Sequence, residues 1–331
     1  MSYDVIGDVH GQADKLEALL RHLGYRHHMG AWRHPTRQAR FVGDLIDRGP
    51  GQLRTLRIVR SMVDVGSARM VMGNHEFNGL AYGTPDPDHR GHFLRIRGTK
   101  NRAQHAAFLN EVGLDSPLHQ EWLNWFKTLP LWLEEKDVRF IHACWHPAHM
   151  ATLAPLLGPN NTLTDELIVS SSRKGDPTFE AVEALCKGLE VDLPEGVSFV
   201  DNQGIERKRT RVRWWDENAQ TFREAAIGKP GEVDQLPSTP LPAASRVTYD
   251  QEKPVFFGHY WFTGTPGILS PKTCCVDYSA ARDSEPLVAY RWDGEPDLSS
   301  DKLVAVMPGA DPVRPFHDEE LSAVVKKAPR Y

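Results

Sequence analysis

The feature that most restricts how this chain can fold is a recurring unit: a short apolar run, a glycine-bounded polar turn, then a stretch with apolar residues at helical spacing. Tyr3–Ile6 leads into Gly7-Asp8-Val9-His10-Gly11, and Asp14–His22 follows with Leu16, Leu19, Leu20 and Leu23 on one helical face. The unit returns as Arg40–Val42, the turn Gly43-Asp44-Leu45-Ile46-Asp47-Arg48-Gly49 and a helix over about Leu53–Val63. It returns again as Arg69–Met72, Gly73-Asn74-His75-Glu76 and a helix starting near His75. Such alternation predicts an α/β protein in which loops at the carboxyl ends of the strands converge on one site.

Further along, the apolar runs Val138–Ile141 and Val255–Phe257 each end at a histidine, His142 and the Gly258-His259 pair. Val255–Phe257, Thr273–Asp277 and Leu287–Tyr290 read as strands of a second sheet, so the expected core is a two-sheet β-sandwich flanked by helices. Residues 1–331 read as a single domain, with a helical cap over about 86–133 that holds Trp122, Trp125 and Trp132. The stretch over about 150–253 is less regular, and its Pro and Gly clusters near Gly228–Pro242 predict long loops. The charged tail after Pro315 is expected to be partly disordered.

Composition narrows the function classes. A formal charge of -5, with 40% hydrophobic and 25% charged residues, gives no general reason to expect a membrane surface or nucleic acid as partner, other than nucleic acid as substrate. Cys144, Cys186, Cys274 and Cys275 form no CxxC pair, which argues against a disulfide framework and a thiolate zinc site and fits a cytoplasmic location. The chain has neither a signal-peptide pattern nor an apolar stretch long enough to span a bilayer.

Asp8, His10 and Asp44 are hard or borderline metal donors on tight turns, where glycine lets a phosphate approach the backbone closely. Taken singly, a histidine at a strand end is most often a hydrogen-bonded loop residue, and a Gly-Asp pair most often makes a turn. Five metal-compatible clusters in order, each after an apolar strand, carry more weight than any one of them.

On these residues the chain resembles the calcineurin-like metallophosphoesterases, in particular the phosphoprotein phosphatase branch of bacterial type. That branch reads GDxHG, GDxxDRG, GNHE, a single His and a final Gly-His, and here these stand as Gly7–Gly11, Gly43–Gly49, Gly73–Glu76, His142 and Gly258-His259. The resemblance implies two divalent cations, manganese foremost with iron or zinc as alternatives. Asp8 and His10 would bind the first, Asp44 would bridge, and Asn74, His142 and His259 would complete the second. Two such ions can polarise a phosphoryl oxygen and activate water for in-line attack. The resemblance also implies that His75 is the general acid, that Asp47 orients it, and that Arg48, with Asn74, grips the substrate phosphate. A second phosphate-binding arginine is expected in Arg207–Arg213. Alternation over Thr210–Trp215 favours Arg213 and Arg211, although most charges of such a run line a solvated edge.

Two departures from the family pattern bear on the substrate. Many relatives in the wider superfamily end in Gly-His-x-His, whereas Gly258-His259-Tyr260-Trp261 offers one histidine, which favours the monoesterase-like arrangement. Animal protein phosphatases usually carry a small hydroxyl residue where Tyr260 stands. The leading expectation is therefore hydrolysis of phosphate monoesters, including phosphoserine and phosphothreonine proteins. The alternatives are a dinucleoside polyphosphate hydrolase, a nucleic-acid-end phosphatase, or, from another class, a phosphate-recognising binding protein.

Overall fold

The computed structural model describes residues 1–308 except 201–203, 229 and 248. The tail after Pro315 lies outside the described residues. In chain order, β1 (Ser2–Ile6) leads to α1 (Ala13–His22), the hairpin β2 (Arg26–His28) and β3 (Ala31–Arg33), then β4 (Arg37–Phe41), α2 (Gln52–Asp64), β5 (Ala68–Met70) and α3 (Asn74–Gly83). Three short helices follow, α4 (Thr99–Gln104), α5 (Ala106–Val112) and α6 (Pro117–Phe126), before β6 (Trp132–Glu134) and β7 (Arg139–Ile141). Next come α7 (Pro147–Leu153), α8 (Asp165–Ser170), α9 (Pro177–Lys187) and the strands β8 (Glu190–Asp192), β9 (Phe199–Val200), β10 (Glu206–Arg207) and β11 (Arg209–Arg211). The last part supplies β12 (Val255–Phe257), β13 (Thr273–Cys275), β14 (Leu287–Trp292) and β15 (Leu303–Val306).

Two sheets form the core. One has the order β15-β14-β1-β4-β5 and the other β13-β12-β7-β6. Alternation along each strand decides what lies between them. Tyr3 and Val5 point inward to meet Phe140, Phe256 and Tyr290, while Ile6 points outward to Leu16, Leu19 and Leu20 of α1. Phe140 and Phe256 stack with their ring centroids 6.0 Å apart. The expected sandwich is therefore present, with helices covering its faces.

One strand is placed differently from expectation. Leu287–Trp292 joins the first sheet, antiparallel to β1 with Val5 opposite Tyr290, rather than the second. Its alternation is compatible with either sheet, because the pattern states which side chains are buried and is silent on the neighbour. The predicted strand over Thr210–Trp215 is also shorter. It stops at Arg211, after which the Arg213 N–H donates to the Ala225 carbonyl at 2.7 Å and the chain turns.

Within 150–253, β8 and β11 pair, and Val191, Val212, Phe222 and Leu236 build a small core of their own. Trp214 ties this part to the sandwich by donating Nε1–H to the Ala143 carbonyl at 2.9 Å. Trp122, Trp125, Trp132, Trp214 and Trp215 are all buried in packing roles. The four cysteines are free and buried. Among the described residues no helix is long and apolar enough to cross a membrane.

The loop after β13 is secured by a buried ammonium. Lys15 Nζ on α1 donates to the carbonyls of Ala280, Arg282 and Glu285 at 2.8, 2.6 and 2.7 Å. Burial lowers the pKa of this lysine, so the three carbonyls stand in for lost water. Lys15→Met is expected to lower stability by about 2–4 kcal/mol in urea unfolding, because all three carbonyls lose the ammonium while the Arg282 carbonyl alone keeps a backbone donor, the Glu285 N–H.

Candidate metal centre and active site

The carboxyl ends of β1, β4 and β5 in one sheet and of β7, β12 and β13 in the other meet at one edge of the sandwich. They deliver Asp8 and His10, Asp44 and Asp47, Asn74 and His75, His142, His259 and Asp277 respectively. The turns are sharp. His10, Asp44, Asp47, Arg48, His259 and Trp261 all hold positive φ, between 47° and 74°, a concentration of backbone strain typical of functional sites. Gly43 makes the crowding possible, since a Cβ there would lie 2.6 Å from His142 Nδ1 and 2.7 Å from the Gly73 Cα. At Gly258 a Cβ would lie 2.0 Å from Asp8 Oδ1.

The side chains converge on Asp44. Its Oδ2 lies 3.7 Å from His10 Nε2, 3.4 Å from His142 Nε2 and 3.9 Å from His75 Nε2. Two groups have donor atoms close enough to hold a metal ion: His10, Asp44 and His75, and Asp44, His142 and His259. Asp44 is common to both. Hydrogen bonds fix which nitrogens face inward, for His10 Nδ1 bonds the Ile46 carbonyl at 2.9 Å and His142 Nδ1 the Val42 carbonyl at 2.7 Å. Asn74 Oδ1 lies 2.7 Å from His259 Nδ1 and 3.2 Å from His142 Nε2.

Asp8 Oδ1, His10 Nε2 and His259 Nε2 are buried there with no hydrogen-bond partner. Orphaned acceptors so buried are costly unless something electropositive satisfies them, which a divalent cation does. Burial also pushes the His10 pKa down to about 3 and that of His259 well below the usual range, so both rings are neutral and keep a lone pair for a ligand. The donor set therefore fits the expected ions. Asp8 touches the cluster through backbone as well, its Oδ2 accepting from the His259 N–H at 3.0 Å.

Three buried side chains beside this cluster escaped the sequence reading. Glu76 accepts the backbone N–H groups of Asp44, Gly73 and Leu45 at 2.9, 3.0 and 2.8 Å. Its sequence signal was its place three residues after Gly73, where an acid caps a helix. Asp277 Oδ2 accepts from the Trp261 N–H at 2.7 Å, and its Oδ1 from Ser279 at 2.9 Å. His105 lies outside every glycine-bounded turn, and nothing in its local sequence singles it out.

His105 Nδ1 bonds Asp47 Oδ1 at 2.7 Å, and His75 Nδ1 bonds Asp47 Oδ2 at 2.6 Å. Burial alone would raise the Asp47 pKa, but these two rings prevail and hold it near 2. Arg48 is exposed, with its guanidinium 4.2 Å from the centre of the Trp261 ring. Asp47, Arg48, Asn74, His75, His259 and Arg211 all line one cavity of about 860 Å³. Arg213 is not brought to it. That side chain lines a separate cavity with Trp214 and Arg246, and its Nη2 donates to the Ala226 carbonyl at 3.2 Å.

Residues 1–193 match the family described as calcineurin-like phosphoesterase. The chain is 30% identical over 291 residues to the symmetrical bis(5'-nucleosyl)-tetraphosphatase of Psychromonas ingrahamii, covering 83% of this chain and 90% of that protein. It is 49% identical over 76 residues to the asymmetrical bis(5'-nucleosyl)-tetraphosphatase PrpE of Halalkalibacterium halodurans, a match that spans 23% of this chain and 31% of the relative's length. Among solved structures, a protein serine/threonine phosphatase from Saccharomyces cerevisiae is similar with a TM-score of 0.46 and 14% identity, over 94% of this chain and 82% of that one.

The double clamp on Asp47 has a measurable consequence. Because its folded pKa lies near 2, below the ordinary 3.8, its stabilisation is fully present above about pH 4 and is lost as pH falls through about 2. His105→Phe preserves the ring packing against Phe108 and removes one bond. It is expected to cost about 1–3 kcal/mol at neutral pH and to shrink the stability lost on acidification from pH 4 to pH 2, both read from urea unfolding.

Proposed function

Because the chain belongs to the calcineurin-like phosphoesterases and is a phosphoric ester hydrolase, we propose that its substrates are dinucleoside polyphosphates, cleaved at the Asp44-centred cluster. The observation that carries this reading is the cavity beside the cluster. Arg48, Arg95, Lys187 and Arg211 line it, while Asp47, already bonded to two histidines, is its one acidic residue among those described. A pocket of this size and sign suits a chain of several phosphates with an attached nucleoside better than a single phosphate. The two tetraphosphatases similar to this chain point the same way.

Asp8, His10, Asp44, Asn74, His142 and His259 would hold two divalent ions, manganese in the first instance, which when bound supply Lewis-acid activation of water and neutralise phosphoryl charge. Arg48 and Arg211 would grip the oxygens of the phosphoryl group under attack, and the Arg48 guanidinium is already oriented by the Trp261 ring. His75 would deliver a proton from Nε2 to the departing oxygen as the phosphorus–oxygen bond breaks. Burial depresses the pKa of this ring, and the Asp44 and Asp47 carboxylates outweigh it and raise the pKa overall. Asp47 engages Nδ1 and leaves Nε2 for this work.

A second reading, hydrolysis of phosphate monoesters such as phosphoserine in proteins, is favoured by the single histidine at Gly258-His259-Tyr260-Trp261. Manganese-loaded protein assayed on diadenosine tetraphosphate, a phosphoserine peptide and a 3′-phosphorylated oligonucleotide separates the readings. The expected order of kcat/KM puts the dinucleotide first, and a preference for the peptide would replace this reading with the second. His75→Ala is expected to reduce turnover of the phosphoserine peptide about 10²–10⁴-fold, with a smaller loss on nitrophenyl phosphate, whose leaving oxygen needs no proton. Equal losses on both would remove His75 from the acid role.

A further inference from the structure

Most cations near the cavity are balanced by carboxylates. Arg97 pairs with Asp115 at 2.6 Å, Arg211 lies 3.4 Å from Glu190, Lys187 is bonded to Glu183, and Arg173 is held by Asp86 and Asp88. Arg95 differs. Its side chain is half-buried on the cavity wall, and its hydrogen bonds go to two neutral amides, Asn78 Oδ1 and Gln104 Oε1, both at 3.1 Å. Among the described residues no carboxylate forms an ion pair with it. Burial lowers its pKa, and the more distant carboxylates of Glu183 and Asp47 offset this only in part.

The position of Arg95 is set by α3. Its backbone N–H donates to the Ala81 carbonyl at 2.9 Å, and Asn78 stands four residues, roughly 6 Å of helix rise, beyond Asn74 in the donor cluster. Arg48 follows Asp47 in the turn after β4 and Arg211 ends β11, and both line the cavity together with the cluster residues Asn74 and His259. Arg95 reaches the same cavity from beside Asn78, one turn of α3 beyond Asn74. A guanidinium has five N–H donors, and two amide contacts leave others available to an anion.

We propose that Arg95, aimed by Asn78 and Gln104, binds a second anionic group of the substrate, a phosphate next to or one beyond the phosphorus attacked, and so selects phosphoanhydride chains over simple monoesters. This rests on the phosphoesterase reading of the Asp44-centred cluster and gives the cavity an inner phosphate position at Arg48 and Arg211 and an outer one at Arg95. The amides are the positioning partners, for they fix the guanidinium without pairing its charge directly, which a carboxylate in their place would do.

The test measures binding to manganese-loaded protein by calorimetry, using AMP with one phosphate and α,β-methylene-ADP with two. Wild-type protein is expected to prefer the two-phosphate probe, and Arg95→Gln to lose at least tenfold of that preference, with Arg95→Lys intermediate. Methylenediphosphonate against orthophosphate repeats the comparison without a nucleoside and shows whether the phosphates alone are recognised. In turnover, the ratio of kcat/KM for diadenosine tetraphosphate to that for nitrophenyl phosphate should fall at least tenfold in Arg95→Gln, mainly through KM. Gln104→Leu, which keeps the charge and removes one support, should move both ratios in the same direction by a smaller factor. An unchanged preference in Arg95→Gln, or an equal loss of both probes with metal content and melting temperature intact, would overturn the proposal. If wild-type protein left diadenosine tetraphosphate uncleaved, the substrate reading would fall, while the paired-probe binding would still decide the role of Arg95.

Discussion

Two loops from neighbouring strands grip each other through a pair of buried carboxylates, and the arrangement of the site depends on that exchange. Glu76 at the start of α3 accepts the backbone N–H groups of Asp44 and Leu45, and Asp44 Oδ1 in return accepts the backbone N–H of His75 at 2.9 Å. Each acid thus holds the main chain of the other's loop. The exchange fixes the left-handed turn at Asp44 and leaves its Oδ2 facing His10, His75 and His142. Placing two carboxylates so close in a dry interior is unfavourable unless their charge is offset by N–H groups and cations. Mutual Coulomb repulsion adds to burial in raising the Glu76 pKa to about 7.

The surroundings extend the same logic outward. Burial keeps His10 and His259 neutral with lone pairs turned inward, while Asp47 stays ionised because two histidine rings bond it. Past this ring the balance reverses, and the cavity wall turns cationic with Arg48, Arg95, Lys187 and Arg211. A centre able to hold cations sits next to a pocket able to hold anions, and a phosphate bridges such a pair naturally.

Much of this was legible in the sequence because it is local. The apolar runs with glycine-bounded turns marked the strands and helices to within a few residues, and each predicted donor from Asp8 to His259 does lie at a strand end in the shared cluster. Other features were not legible, because they depend on contacts between distant segments. Leu287–Trp292 could have joined either sheet, and only pairing with β1 decided it. Arg211 and Arg213 were equivalent in an alternating pattern until the chain turned after Arg211 and sent Arg213 to another cavity. His105 and Arg95 gave no local signal, since their roles come from facing Asp47 across 58 residues and Asn78 across 17.

The sequence by itself determined which donor side chains gather at the site, because residues on turns that glycine keeps narrow need only the right types in the right order. Tertiary structure decided how that site is supported and what lies beside it: the Glu76 and Asp277 braces, the second histidine on Asp47, and Arg95 held by two amides. The physical reason is range. Turn geometry and strand periodicity act over a few residues, whereas desolvation and charge balance at a buried site are set by whichever distant segments pack around it.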